Sequence, residues 1–192
     1  MRIGIFGGTF DPIHIGHLVA AVNAKASAEI DLLYFVVANV PWQKEGSRTL
    51  TEASIRYSLV ARALEGLCGF AASDVEICRG GLSFTFDTLL ALRDEHPGDT
   101  LVLVVGADAA IDMHTWERSN DLASLAELVV VSRPGFESPT SILGWAERTE
   151  VEIPSLDISS TDLRQRVKDG RPLDFLLPRF AIEFIQETGL YG

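Results

Sequence analysis

His14 and His17 stand three residues apart with Gly16 between them, directly after Gly7-Gly8-Thr9-Phe10-Asp11-Pro12. Where a chain turns helical, that spacing brings two side chains to one side. Two imidazoles so placed could donate hydrogen bonds to a triphosphate. As cations they would also stabilise negative charge growing on the bridging oxygen of a departing pyrophosphate. Taken alone, the pair more often marks surface histidines at a helix start, or two ligands of a metal site. The preceding glycines narrow the reading. Gly7 and Gly8 carry no Cβ, so the backbone there can adopt positive φ and approach a phosphate closely, while the following helix offers its N-terminal N–H groups. This is an anion cradle of its own kind: Gly4, Gly7 and Gly8 do not make G-x-G-x-x-G, and no G-x-x-x-x-G-K-[ST] occurs in the chain.

A second polar cluster lies late in the chain. Ser159, Ser160 and Thr161 open a predicted helix, where their hydroxyls and the unpaired N–H groups sit beside the positive end of the helix dipole. Arg164, one turn on, adds a forked cation. In isolation the same residues describe an N-cap followed by a solvated arginine.

The elements that must position these groups alternate. Arg2 to Phe6 reads as a buried strand running into the glycines, and His17 to Ser27 as an Ala-rich helix. Leu32 to Val37 is a second strand, followed by a polar loop from Asn39 to Leu50 that holds Pro41, Lys44, Gly46 and Arg48. Thr51 is the expected N-cap of a helix over Glu52 to Leu64, and Val75 to Cys78 an expected short strand. Thr85 to Glu95 suits a helix stopped by Pro97-Gly98. Thr100 to Val105 is the β-branched and leucine run of a central parallel strand, with Gly106-Ala107-Asp108 at its carboxyl end. A strand over Leu128 to Ser132, a helix over Ile142 to Arg148, a strand over Val151 to Ile153, and helices over Ser160 to Asp169 and Arg179 to Glu187 complete the expectation. Such alternation implies an α/β fold: a Rossmann-like, doubly wound parallel sheet with helices on both faces, in one domain over residues 1–192. Ligands of such sheets bind beyond the carboxyl ends of the strands, where strand order reverses, so the first strand, turn and helix mark the site.

Composition excludes several classes. At 47% hydrophobic and 22% charged, the 192-residue chain is long enough for one well-covered core, and its apolar runs fall far short of a membrane span. Met1 to Phe6 meets glycines at once and lacks the features of a signal peptide, which points to a cytoplasmic protein with no membrane partner. A formal net charge of −11 repels nucleic acid, though a pocket with a few local cations still suits a small phosphorylated ligand. Cys68 and Cys78 are too few for a zinc site or a disulfide framework and are expected to be buried or half-buried thiols. The sequence leaves a homo-oligomer open.

GGTFDPIHIGH resembles the T/H-x-G-H signature of the nucleotidyltransferase superfamily, in the form found in bacterial nicotinate mononucleotide adenylyltransferases. Ile158-Ser159-Ser160-Thr161-Asp162-Leu163-Arg164 resembles its second signature, I-S-S-T-x-x-R. Ser83 to Leu89, Gly106-Ala107-Asp108, Trp116 and Arg133-Pro134-Gly135 follow the same pattern in the same order, so the resemblance covers nearly the whole chain. It implies transfer of AMP from ATP to nicotinate mononucleotide, giving nicotinate adenine dinucleotide and pyrophosphate in NAD biosynthesis. It places Gly7, Gly8, Thr9, Phe10, His14, His17, Ser159, Ser160, Thr161 and Arg164 in the ATP site, with His14, His17, Ser160 and Arg164 on the triphosphate and His14 and His17 as the catalytic pair. Gly106 and Asp108 go to the adenosine, where Asp108 could accept a ribose hydroxyl bond or simply cap the next helix.

On the acceptor side, Lys44 and Arg48 are the cations nearest a second phosphate. The loop reads Val40-Pro41-Trp42-Gln43-Lys44 where many relatives have Pro-Pro-His-Lys, which keeps the lysine and changes the ring before it. The indole of Trp116 could stack an electron-poor pyridinium, its alternative being to pack on the sheet edge. Thr85, at a helix start, could meet a nicotinate carboxylate with its hydroxyl and nearby N–H groups. Arg133 suits either structure or the acceptor phosphate.

The chemistry expected is in-line attack by the acceptor phosphate on the α-phosphorus, without a protein nucleophile, since no hydroxyl–His–carboxylate triad or reactive cysteine context is present. Mg²⁺ is expected to arrive with ATP, with no dedicated metal site. Three rivals share parts of this pattern. Phosphopantetheine adenylyltransferases generally have Thr where His14 stands and lack the Trp116 region. Cytidylyltransferases for other small phosphates differ in the late serine motif. A nucleotide-binding sensor would keep the cradle without the chemistry, against which stand both histidines and Arg164.

Overall fold

A computed structural model describes residues 1–42, 50–135, 139–142 and 144–192. The chain runs β1 (Arg2–Gly8), α1 (Ile15–Ser27), β2 (Leu32–Val37), β3 (Val40–Pro41), α2 (Ala53–Ala63), β4 (Phe70–Ser73), α3 (Val75–Arg79), β5 (Leu82–Ser83) and α4 (Thr85–Glu95). It continues with β6 (Thr100–Gly106), α5 (Ala107–Ile111), a 3-10 turn (Met113–Thr115), α6 (Ser119–Leu122), β7 (Glu127–Ser132), β8 (Thr149–Glu152), α7 (Ser160–Lys168) and α8 (Arg179–Thr188). Six strands form one sheet in the order β4-β2-β1-β6-β7-β8, every pairing parallel. β3 and β5 make a small separate ladder. The doubly wound parallel sheet expected from the alternation is therefore present.

Both faces are covered, so the strands read as nearly unbroken apolar runs, and period-2 alternation divides their side chains between two cores. On one face Phe6, Val102, Val104, Val129 and Val131 pack with Ala20, Ala21 and Ala24 of α1 and with Leu163, Ala181 and Ile185 of α7 and α8. On the other, Ile3, Ile5, Leu101, Leu103, Leu128 and Val130 meet Phe86, Leu89 and Leu92 of α4. The chain first builds outward from β1 through β2 to β4, then returns to place β6 on the other side of β1. Strand order thus reverses between β1 and β6, and a crevice opens where Gly7-Gly8 and Gly106 end those strands.

Four local expectations fail for identifiable reasons. Thr51 does not cap α2: its hydroxyl donates to the Tyr191 hydroxyl (3.3 Å), and Glu52 occupies the N-cap position. Val75 to Cys78 is helical, because the place beside β2 is taken by Phe70–Ser73, paired with Leu33–Val36. In place of the helix expected over Ile142 to Arg148, the described residues 142 and 144–148 are not helical. Gly144 has φ +86°, outside the helical region, and Ile142 and Trp145 face each other in an isolated antiparallel bridge, with the Trp145 indole donating to the Ala126 carbonyl (3.0 Å). Both cysteines are exposed: Cys68 lies in the turn after α2, and Cys78 on the solvent side of the short α3. No helix among the described residues is long and apolar enough to cross a membrane.

Candidate active site

Two cavities open at the carboxyl end of the sheet and share Phe6, Gly7, Gly8 and Gly106. The larger, about 490 Å³, extends over α1 and α7; the smaller, about 200 Å³, extends toward α4. The glycine turn is therefore the common wall of both.

Gly7 and Gly8 line both cavities. Neither has positive φ, and both belong to β1. What Gly8 supplies is space: a Cβ there would lie 2.7 Å from Cζ of Phe10. Phe10, at φ +49° and 2% exposed, turns its ring beneath the glycines and meets the His17 ring nearly edge-on, with centroids 5.0 Å apart. Phe10 lines neither cavity but supports a residue that does. Thr9 lines the smaller cavity, and its carbonyl accepts a 2.7 Å bond from Arg56.

The three-residue spacing brings the histidines together as expected. Their rings stack with centroids 3.7 Å apart and planes inclined by 26°. His14 is the N-cap of α1, and its backbone N–H donates to Nδ1 of His17 (3.2 Å), leaving Nε2 of His17 to carry the proton of the neutral ring. Gly16 makes room for this, since a Cβ there would sit 3.0 Å from Nδ1 of His14. His14 is buried, and its Nδ1 has no hydrogen-bond partner among the described residues. Burial, and then the nearby Arg133 guanidinium, push its pKa down from 6.5 to about 4. The reading of both histidines as cations is corrected for His14: in this structure it is neutral near pH 7.

Helix α7 closes the other side of the larger cavity. Ser159 is its N-cap, accepting the Asp162 N–H (3.1 Å), and Ser160 donates its hydroxyl to the Pro12 carbonyl (3.0 Å). Arg164 reaches back to the Asp11 carbonyl (2.7 Å) and the Thr161 hydroxyl (3.0 Å). The two signatures, some 150 residues apart in sequence, are thus tied by direct hydrogen bonds. Gly106 and Asp108 line the same cavity, with Asp108 exposed in the first turn of α5. Arg133 also lines this cavity rather than the smaller one, and donates to the Leu156 carbonyl (3.0 Å). One rim therefore gathers two histidines, two arginines and a helix N-terminus, a setting suited to a polyanion.

The smaller cavity is lined by Thr85 at the start of α4 and by Trp116, with Trp42 and Pro41 on the β3 side. The indole nitrogen of Trp116 is buried without a hydrogen-bond partner among the described residues. Gln43, which stands at the position of the relatives' ring before Lys44, lies outside the described residues. Lys44 and Arg48 lie outside the described residues. Sequence reasoning passed over three buried residues here. Glu76 accepts the Thr88 hydroxyl (2.5 Å), and burial pushes its carboxyl above the usual range against hydrogen bonds from Ser83 and Thr88. Thr88 is 1% exposed, as is Arg56, which donates to the carbonyls of Thr51, Thr9 and Asn39 at 2.7–3.0 Å. Nothing in their local sequence separates them from surface helix residues except that each falls on the inward face.

Comparison with known proteins identifies the family of the chain. The family model described as cytidylyltransferase-like matches residues 5–166. A Desulfitobacterium hafniense protein named "Probable nicotinate-nucleotide adenylyltransferase" is 41% identical over 199 residues, covering 99% of this chain and 95% of that protein. A Mycobacterium bovis protein of the same name is 42% identical over 196 residues, covering 98% of this chain and 91% of its own length. Among solved structures, the Plasmodium falciparum nicotinic acid mononucleotide adenylyltransferase complexed with NaAD superposes with a TM-score of 0.81 at 23% identity, covering 99% of this chain and 97% of that one. That likeness concerns the fold. The family match and the full-length identities together establish that this chain belongs to the cytidylyltransferase-like nucleotidyltransferases and, within them, to the nicotinate-nucleotide adenylyltransferase family.

Proposed function

We propose that the protein transfers the adenylyl group of ATP to nicotinate mononucleotide, forming nicotinate adenine dinucleotide and releasing pyrophosphate, a step of NAD biosynthesis. One observation carries the reading: the cavity rimmed by His14, His17, Arg133 and Arg164 and the indole-lined cavity meet over Gly7 and Gly8. Two phosphorylated ligands, one in each, would bring their phosphates together at that wall. A phosphate oxygen of the acceptor attacks the α-phosphorus of ATP, a new P–O bond forms, and the bond to the β-bridging oxygen breaks with its electron pair leaving on pyrophosphate. Positioning and charge neutralisation suffice for such a transfer, so no protein nucleophile takes part.

In this reading His17, through Nε2–H, and His14 donate to the triphosphate and its departing oxygen. Ser160, Thr161, Arg164 and Arg133 hold the outer phosphates, and Asp108 the ribose. The free N–H groups at the start of α4, with Thr85, receive the nicotinate carboxylate, and Trp116 and Trp42 flank the pyridine ring. The substrate is taken as MgATP, the ion riding on phosphate oxygens. The proposed test is pyrophosphate release from MgATP with nicotinate mononucleotide, nicotinamide mononucleotide or phosphopantetheine as acceptor. Release with the first in clear excess over the second supports the reading. Silence with all three overturns it, and preference for phosphopantetheine reassigns the acceptor.

A further inference from the structure

Tyr191, beyond α8, is bonded into the floor of the active site although it lines neither cavity. Its hydroxyl donates to Oδ1 of Asp11 at 2.6 Å, and Asp11 is only 1% exposed. The same Asp11 offers its carbonyl to Arg164 at 2.7 Å, and the next carbonyl, that of Pro12, accepts the Ser160 hydroxyl at 3.0 Å. On its other side the Tyr191 hydroxyl accepts from Thr51 (3.3 Å), whose carbonyl holds Arg56, the cation that also grips Thr9 and Asn39 at the edge of the smaller cavity. A run of hydrogen bonds through Asp11 and Thr51 therefore joins Arg164 of the larger cavity to the backbone of the smaller one, and Tyr191 is its middle link.

We infer that Tyr191 is a positioning residue for adenylyl transfer: by fixing Asp11 it aims the Asp11 carbonyl at Arg164, and it holds that arginine in register with the acceptor cavity. A phenol suits the task. It donates to the carboxylate and accepts from Thr51 at once, a pair of roles phenylalanine cannot fill. Burial and the Asp11 bond both hold the phenol well above its usual range, so it remains a donor at any working pH. A buried carboxylate left without one of its donors shifts to find another, and here the nearest consequence of such a shift is loss of the Arg164 geometry.

The inference rests on the adenylyl transfer reading, and its test separates the two. Tyr191→Phe, Arg164→Lys and the double variant are compared with the unaltered enzyme for pyrophosphate release, ATP affinity by calorimetry, and thermal unfolding. In Tyr191→Phe, kcat/KM for ATP is expected to fall about tenfold, the effect of losing one hydrogen bond to a charged group. Its ATP affinity is expected to weaken in parallel, and the protein to remain folded at the assay temperature. The double variant should lose much less than the product of the two single losses, because both act through Asp11. Thr51→Val, which removes the second bond of the phenol, should give a smaller loss in the same direction. Losses that multiply fully, or a Tyr191→Phe enzyme with unchanged kcat/KM and ATP affinity, would overturn the inference. So would a decline explained wholly by a smaller folded fraction. An unaltered enzyme that transfers no adenylyl group would instead overturn the function proposed above.

Discussion

Replacing His14 by Asn removes a titrating group from the centre of the site, and the structure gives the size and sign of the effect on stability. In the unfolded chain His14 takes a proton near its ordinary pKa of 6.5, whereas in the folded protein burial and Arg133 delay this to about 4. Between those values the unfolded state binds more protons. Stability from this residue is therefore complete above pH 6.5 and is lost as pH falls through 4. The whole span is worth about 3 kcal/mol at ~1.4 kcal/mol per pH unit, of which about 2 kcal/mol is gone by pH 5. Groups elsewhere titrate in both proteins, so the change in the difference between them isolates His14. Urea unfolding at pH 7 and pH 5 should show the parent losing about 2 kcal/mol more than His14→Asn over that interval. Equal losses in the two proteins, or a His14 ring that titrates near 6.5 by NMR, would refute the burial argument.

Three further outcomes follow from the same geometry. His17→Ala and His14→Ala are each expected to lower kcat by roughly 10²–10³ if both rings stabilise transition-state charge; stopped-flow or coupled pyrophosphate assays read this, and near-normal turnover in both would remove the pair from the mechanism. Gly8→Ala places a methyl 2.7 Å from the buried Phe10 ring and should cost about 1–3 kcal/mol in chemical unfolding, while an unperturbed midpoint would show that Phe10 can give way. Trp116 lines only the smaller cavity, so Trp116→Ala should raise KM for the pyridine nucleotide about tenfold and leave KM for ATP unchanged, with Trp116→Phe recovering part of the loss.

Much of this arrangement could be read from sequence because it rests on local signals. β1, β2, β6 and β7 are dense apolar runs, the mark of strands covered on both faces, and their alternation with helices implied the parallel sheet and its switch point. The histidine spacing and the serine-capped α7 are equally local, and both appear where expected. What escaped depends on partners distant in sequence. Thr51 looks like a helix cap until Tyr191, 140 residues later, takes its hydroxyl. Arg56 is an ordinary helical arginine until three loop carbonyls converge on it. Phe10 reads as part of a phosphate turn, yet a backbone at φ +49° sends its ring under Gly8 to brace His17. Arg133 directly follows β7, and that position alone does not say which of two adjoining cavities its side chain enters. The stretch from Ile142 to Arg148 has helical composition, but at its described residues a glycine at φ +86° and an inward tryptophan override it.

The central claim, direct transfer between two ligands meeting over Gly7 and Gly8, is tested most directly by following the label of [α-³²P]ATP in the presence of nicotinate mononucleotide and Mg²⁺. Labelled nicotinate adenine dinucleotide is expected to form one-for-one with pyrophosphate, with no label on the denatured protein at any time. Label retained covalently by the protein, or pyrophosphate released without a labelled dinucleotide, would contradict it.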